Sequence, residues 1–124
     1  MIYLDTHVLA WLYAGRVDLL SRRAKQLIES EDLLISPMVA LELEYLHEIG
    51  RLTERSSSVL HSLQAQIGVQ MCTLPFAGVV EAARAQSWTR DPFDRVIVGQ
   101  AAAAQSALLT KDAVTRRHYK RGTW

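Results

Sequence analysis

Four short apolar segments, separated by longer stretches with helical character, constrain the fold of this chain more than any other feature. The segments cover residues 2–4, 33–35, 69–74 and 107–110. They are long enough for buried strands, and the stretches between them are long enough for helices that return the chain to the same sheet edge. Strands connected in this way form a mainly parallel sheet, which needs helices on both faces. We therefore predict an α/β fold.

Capping residues indicate where the helices begin and end. Ser21 and Ser36 each precede a helical pattern, and a proline follows Ser36 at the first helical position. Gly50 and Gly68 are natural helix ends. Together with the apolar spacing, these signals predict helices over about 6–14, 21–30, 37–49, 54–67, 76–87 and 93–105, and a short last strand near 122–124. No linker or repeat divides the chain, so residues 1–124 are predicted to form a single domain.

The composition is that of an ordinary globular protein. Of the 124 residues, 49% are hydrophobic and 22% are charged, and a net charge of +1 gives no general evidence for nucleic-acid binding. No apolar run approaches the ~20 residues that cross a bilayer, and no signal-peptide pattern is present. Cys72 is the only cysteine, which argues against disulfides and a cysteine-based metal site. We expect a cytoplasmic protein that does not insert into a membrane.

Carboxylates follow the first and the fourth apolar segments. Asp5 comes directly after the first segment, and Asp112 lies two residues beyond the fourth. In an open parallel sheet, ligands bind beyond the carboxyl ends of the strands, so both side chains are predicted at the ligand-binding edge. For Asp5 the structural alternative is that it caps the helix predicted over 6–14, which requires no chemistry.

Two further carboxylates lie on predicted helices. In the third helix, helical spacing puts Glu42 on the apolar stripe and Glu44 about 160° away from it. A carboxylate on a core-facing stripe is costly unless it is paired or binds a metal; a position at the rim of a wide stripe is the alternative. Asp94 lies in the first turn of the helix that Asp91 and Pro92 begin, where the helix dipole also stabilises a negative charge.

These four acids come from separated segments and can meet at one edge of the sheet. They cannot all stay ionised in a small space without a cation, because neighbouring like charges raise each other's pKa. Oxygen-only ligands suit Mg²⁺ or Mn²⁺, and such ions activate water and polarise phosphoryl oxygens. Paired carboxylates also serve glycoside hydrolysis, but nothing else in the sequence indicates a sugar cleft.

The motifs around these acids resemble the PIN-domain ribonucleases, and more narrowly the VapC-type toxins of type II toxin–antitoxin systems. The motifs are YLDTHVLAWL, ISPMVALELEYLHEIGRL, RDPFDRVIVGQA and LLTKD, with Asp5, Glu42, Asp94 and Asp112 in that order. The acids are 37, 52 and 18 residues apart, which fits the family, and the resemblance covers essentially the whole chain. His7 and Trp11 match one subgroup, whereas residues 38–40 depart from the more polar residues common there.

The resemblance implies a three-layer α/β/α sandwich with a sheet of about five strands. It also implies a Mg²⁺- or Mn²⁺-dependent endoribonuclease that forms a homodimer and is inhibited by a cognate antitoxin. On this basis Asp5 and Asp94 are expected to ligate the metal, and Glu42 and Asp112 to complete the catalytic pocket directly or through water. Three neighbours are expected to support these acids: Thr6, Thr110 and Asp91.

Basic residues supply candidate contacts to RNA phosphates. The segment TRRHYKR near the C-terminus concentrates cations, and Arg95 lies beside Asp94. The candidate RNA-binding residues are therefore Arg95, Arg116, Arg117, Lys120 and Arg121. A solvated basic face and a surface ion pair are the alternatives. His7 is expected to pack or to support the acids rather than to act as a general base.

Other protein classes fit the motifs less well. A haloacid-dehalogenase-type phosphatase needs a second Asp where His7 stands. A response-regulator receiver needs its Thr and Lys on separate strands, whereas Thr110 and Lys111 are adjacent here. A PIN nuclease of RNA processing or maturation, and a catalytically silent PIN module that only binds, remain the alternatives to a toxin.

Overall fold

The computed structural model describes residues 1–124 and contains one five-stranded sheet. Its strands are β1 Ile2–Leu4, β2 Leu33–Ile35, β3 Gln70–Met71, β4 Ala107–Leu109 and β5 Gly122–Thr123. Their spatial order is β3-β2-β1-β4-β5, and every pairing is parallel. The predicted α/β fold with a parallel sheet, including its short last strand, is confirmed.

Seven α-helices connect the strands. They are α1 Thr6–Tyr13, α2 Arg22–Ser30, α3 Pro37–Glu48, α4 Ser56–Ile67, α5 Phe76–Arg84, α6 Pro92–Ala103 and α7 Ala113–His118. A 3₁₀ helix covers Val17–Leu19. Neither this turn nor α7 was predicted, because three and six residues are too short to show a helical period. None of the helices combines the length and the apolar character needed to span a membrane.

The predicted caps are in place. Ser21 accepts a hydrogen bond from the Ala24 N–H at 3.0 Å, and Ser36 accepts one from the Met38 N–H at 3.1 Å. Gly68 ends α4 in the left-handed conformation, with φ of +72°. Glycine adopts this conformation without a steric penalty, so the sequence located this helix end correctly.

The centre of the sheet is the most buried part of the molecule. Ile2, Tyr3 and Leu4 of β1 are at most 2% exposed, and Leu108 and Leu109 of β4 are fully buried. They belong to a single core of 19 buried residues, to which the helices and strands both contribute. Deep burial of β1 on both sides fixes the backbone at the points where the chain leaves the sheet.

The strand order reverses between β1 and β4. From β1 the chain passes to β2 on one side, and later to β4 on the other. The connections on the two sides of such a switch point diverge, which leaves a crevice beyond the carboxyl ends of the two central strands. Asp5 follows β1, and Thr110 and Asp112 follow β4, so the predicted acids begin at this crevice.

Candidate active site

Asp5 lies at the strand switch point and is held on both of its carboxylate oxygens. Oδ2 accepts a hydrogen bond from the Thr110 hydroxyl at 2.6 Å, and Oδ1 accepts one from the Thr6 N–H at 2.8 Å. Burial raises the pKa of Asp5, and these two hydrogen bonds act in the opposite direction. Asp5 is also the N-cap of α1. The structural and chemical interpretations are therefore compatible, because each oxygen keeps a second lone pair.

Thr6 connects the first two acids. It is fully buried, and while its N–H donates to Asp5, its hydroxyl donates to Glu42 Oε1. Glu42 thus points from α3 toward the end of β1, as its helical phase indicated. Burial raises the pKa of Glu42, the Thr6 hydrogen bond lowers it, and the charge of Asp5 raises it again. Two carboxylates on different elements are held together by a single threonine.

Asp94 is the acid with no hydrogen bond or ion pair to hold its charge. It lies half-buried in the first turn of α6. Burial, followed by the charges of Asp91, Asp5, Glu42 and Asp112, raises its pKa to about 7. None of the four ion pairs in the structure includes it. The carboxylates therefore lie close enough to repel one another, and no protein cation neutralises Asp94.

Asp112 is more exposed and is fixed by α7. Its Oδ1 accepts a hydrogen bond from the Val114 N–H at 3.1 Å, and its Oδ2 accepts one from the Thr115 hydroxyl at 2.8 Å. The Asp112 N–H in turn donates to the Thr110 hydroxyl oxygen at 3.1 Å. This contact leaves the Thr110 hydroxyl proton directed at Asp5. Sequence reasoning missed Thr115, although an Asp followed three residues later by a hydroxyl was the available signal.

The donors in this crevice suit a hard divalent cation, because they are carboxylate oxygens with an excess of negative charge. No three His, Cys, Asp or Glu side chains are placed so that together they hold one ion. Mg²⁺ usually takes one or two protein carboxylates and keeps several waters. The residues therefore fit an ion held by one or two of these acids and by water, and they do not fit a closed protein cage.

A family model for the PIN domain matches residues 2–121. This chain belongs to the PIN domain family. No curated protein sequence is a significant match. The family match covers all four acids and the whole sheet up to the start of β5.

Several solved structures have the same fold as this chain. VapBC2 from Rickettsia felis, bound to a DNA fragment from its promoter, is 18% identical with a TM-score of 0.69, covering 98% of this chain and 95% of that one. A toxin–antitoxin complex from Klebsiella pneumoniae is 17% identical with a TM-score of 0.69, covering 100% and 97%. FitAcB from Neisseria gonorrhoeae is 18% identical with a TM-score of 0.55, covering 98% and 95%. At these identities the likeness shows the fold.

Two other acids of this PIN domain have structural partners. Asp91 is the N-cap of α6 and accepts a hydrogen bond from the Phe93 N–H at 2.8 Å. Glu44 accepts hydrogen bonds of 3.4 Å from Arg55 and from the N–H of Ser56, the first residue of α4. Glu44 is thus directed away from the crevice, as its helical phase indicated, and it partly caps α4.

The basic candidates are not gathered at the acidic crevice. Arg95 donates to the Ala83 and Arg84 carbonyl oxygens at 3.3 and 3.0 Å, so it is engaged at the end of α5. Arg116 and Arg117 are exposed on α7. Lys120 and Arg121 line a cavity of about 500 Å³ that also includes Met1, Arg23 and Ala107. Met1 directly precedes β1 and Ala107 begins β4, so this cavity lies at the sheet edge opposite the acids.

Proposed function

We propose that this PIN domain is a divalent-metal-dependent endoribonuclease that acts as the toxin of a toxin–antitoxin pair. The observation that carries the nuclease proposal is the uncompensated group of four carboxylates at the strand switch point. Burial and the charges of the neighbouring acids together raise the pKa of Asp94 to about 7, and a bound cation would offset both effects. Membership of the PIN family supports the same conclusion.

The hydrogen bonds suggest a role for each acid and for the two threonines. Asp5 and Asp94 would hold the Mg²⁺ or Mn²⁺ ion, and Glu42 and Asp112 would act directly or through water. When bound, the ion supplies an acidified water and neutralises charge on the phosphoryl group. Thr6 and Thr110 fix the orientations of Asp5 and Glu42, since each threonine donates a hydroxyl proton to one of them. Asp91 adds negative charge beside Asp94.

Exposed cations on and after α7 are the proposed contacts to RNA phosphates. Arg116 and Arg117 extend from the helix whose N-cap is Asp112, and Lys120 and Arg121 continue toward the opposite sheet edge. A strand of RNA entering the acidic crevice needs such cations, because its phosphates are repelled by the carboxylates. Arg95 is left out of this proposal, since two of its guanidinium nitrogens are bound to carbonyl oxygens of α5. Arg116 and Arg121 each donate to one carbonyl oxygen and keep further N–H donors.

The toxin role is supported by the solved structures with the same fold, one of which is described as a toxin–antitoxin complex, and by the resemblance of the motifs to VapC-type toxins. The surface of α3 offers a matching feature. Leu41, Tyr45 and Ile49 follow one another at four-residue spacing and are 57%, 47% and 47% exposed. An apolar stripe of this kind is available for a cognate antitoxin or for the second protomer of a homodimer.

Purified, antitoxin-free protein tests the nuclease proposal. Structured RNA should be cut in Mg²⁺ or Mn²⁺, and EDTA should stop the reaction. Asp5→Asn is the matched control, because asparagine caps a helix as well as aspartate and so removes the charge without removing the cap. Cleavage that continues unchanged in EDTA, or in Asp5→Asn, contradicts the metal mechanism.

The toxin role is tested separately in cells. A brief induced pulse of wild-type protein should arrest growth and create new RNA ends, which sequencing locates. Co-expression of a small antitoxin reading frame from beside the gene should suppress both effects. Cleavage of RNA without growth arrest would instead favour a role in RNA maturation.

A further inference from the structure

A row of aromatic and basic side chains borders the acidic crevice, and neither the fold nor the acids account for all of it. The His7 and Trp11 rings are 6.1 Å apart on α1, and the Trp11 ring meets Trp124 edge-on at 5.9 Å. The Lys111 amine lies 5.5 Å from the centre of the Trp11 ring. We call His7, Trp11 and Lys111 the ring platform.

The ring platform is attached to the acids at two points. His7 lies two residues after Asp5, in the first turn of α1, and Lys111 directly precedes Asp112. His7 is close enough to Asp5 and to Glu42 to lower the pKa of both. A nucleotide next to a phosphate in the crevice therefore lies within reach of these side chains.

Packing explains only part of the platform. Trp11 is half-buried and packs against the core, with Trp124 on its edge. His7, in contrast, is exposed, although it was expected to pack or to support the acids. Lys111 is exposed as well, and it lies over the Trp11 ring rather than forming an ion pair with a nearby carboxylate. One ring and one cation thus remain available to a ligand.

We propose that the ring platform binds a nucleotide beside the scissile phosphate, with an unpaired base stacked on His7 and a flanking phosphate contacted by Lys111. The proposal rests on the proposed ribonuclease function and deepens it, since it assigns His7 and Lys111 the role of positioning the nucleotide that flanks the scissile phosphate. Every base offers a π-face, whereas a base inside a duplex has both faces covered by its neighbours. The platform thus selects for unpaired RNA rather than for one base.

The test measures binding of a labelled RNA hairpin with an unpaired loop, and of a fully paired hairpin, by fluorescence anisotropy in EDTA. His7→Ala should weaken loop binding by roughly 5- to 150-fold, the range typical for one stacked base, and leave the weaker duplex binding unchanged. His7→Phe should restore loop binding, because phenylalanine keeps the ring without the imidazole nitrogens. His61→Ala, an exposed histidine on α4, is the matched control and should have no effect.

Lys111→Gln tests the proposed phosphate contact independently of the stacking on His7. It should weaken binding of both hairpins alike and reduce the slope of log affinity against log salt by about one. Equal loop binding by His7→Ala and wild type, or failure of His7→Phe to restore it, overturns the platform. If wild type binds the loop through His7 but cuts no RNA in Mn²⁺, the platform stands and the ribonuclease proposal fails. If wild type cuts RNA in Mn²⁺ but His7→Ala binds the loop as tightly as wild type, the ribonuclease proposal stands and the platform fails.

Discussion

The two edges of the sheet differ in how their charges are satisfied. At the amino edge, Arg23 donates to the Thr123 hydroxyl, Arg121 donates to the Gln105 carbonyl oxygen, and the Met1 amine pairs with Glu31. At the carboxyl edge, four carboxylates share a crevice, and Asp94 has no ion pair. These three charged groups at the amino edge have partners within the chain, whereas Asp94 at the carboxyl edge requires one from outside.

This difference separates charges that support the fold from charges that oppose it. Paired exposed groups change stability by about 0–1 kcal/mol. A carboxylate whose pKa rises on folding makes the folded state less stable whenever it is ionised. A protein keeps such a group where binding of a ligand needs it. The contrast can be tested by removing acids of each kind and measuring cleavage and stability.

Asp94→Asn is expected to have the largest effect. Removal of a proposed metal-binding acid should reduce RNA cleavage by more than about 100-fold. At a Mn²⁺ concentration a hundredfold above Kd, wild-type protein should gain about 2.7 kcal/mol of stability, and the variant should gain much less. Melting curves in EDTA and in excess Mn²⁺, together with a cleavage assay, measure both quantities.

The competing account treats Asp94 only as a charge in the first turn of α6. In that case Asp94→Asn should lower the unfolding free energy by about 0.3–1 kcal/mol, because the interaction with the helix dipole is lost, and the loss should be the same in EDTA and in Mn²⁺. A variant that is less stable in EDTA and keeps the full Mn²⁺ shift would rule out the metal-site interpretation of Asp94.

Glu42→Gln should rank second. Glu42 is held toward the crevice by Thr6, so loss of its charge should reduce cleavage by about 10- to 100-fold while the fold persists. Glu48→Gln is the matched control on the same helix, because Glu48 is exposed. Equal losses in both variants would show that Glu42 has no special role in the reaction.

Local signals made much of this arrangement predictable. The parallel sheet followed from short apolar segments between helices, and the position of Asp5 followed from the strand it ends. The helical phase of Glu42 needed only the spacing of its neighbours. These features depend on contacts along a single element, for which a period of two or 3.6 residues is sufficient information.

The positions of the basic side chains depend on long-range contacts and were not predictable from the sequence. The sequence offered Arg95 as a contact to RNA phosphates or as part of a surface ion pair, but α5 packs against α6 and brings its carbonyl groups to the guanidinium. Lys120 and Arg121 are near Asp112 in sequence, yet α7 carries the chain to the opposite sheet edge. Neither position can be derived without knowing how the helices cross, and no local pattern records that.

The pH dependence of stability should rank third in size. In EDTA, Asp94 has a pKa of about 7 in the folded state and an ordinary value of 3.8 when unfolded. Between these values the folded state holds the extra proton, so the contribution of Asp94 to the unfolding free energy falls as pH rises from about 4 to 7. Asp94→Asn lacks this term. Its melting temperature relative to wild type should therefore increase over that range, and a difference independent of pH contradicts the raised pKa of Asp94.

The smallest effect is expected for Glu44→Gln, which tests an acid that has partners. Glu44 reaches the N–H of Ser56 and the Arg55 guanidinium at 3.4 Å, and Arg55 provides no side-chain cap for α4. These contacts are long and Glu44 is 30% exposed. The variant should therefore lose about 0.5 kcal/mol of unfolding free energy, which is near the low end for removal of a helix cap. RNA cleavage should stay close to wild type, and Mn²⁺ should stabilise the variant as much as wild type. Thermal melts of Glu44→Gln and Glu42→Gln, each with EDTA and with excess Mn²⁺, measure this difference. If Glu44→Gln instead removed the Mn²⁺ shift, the separation between paired and unpaired acids on α3 would be wrong.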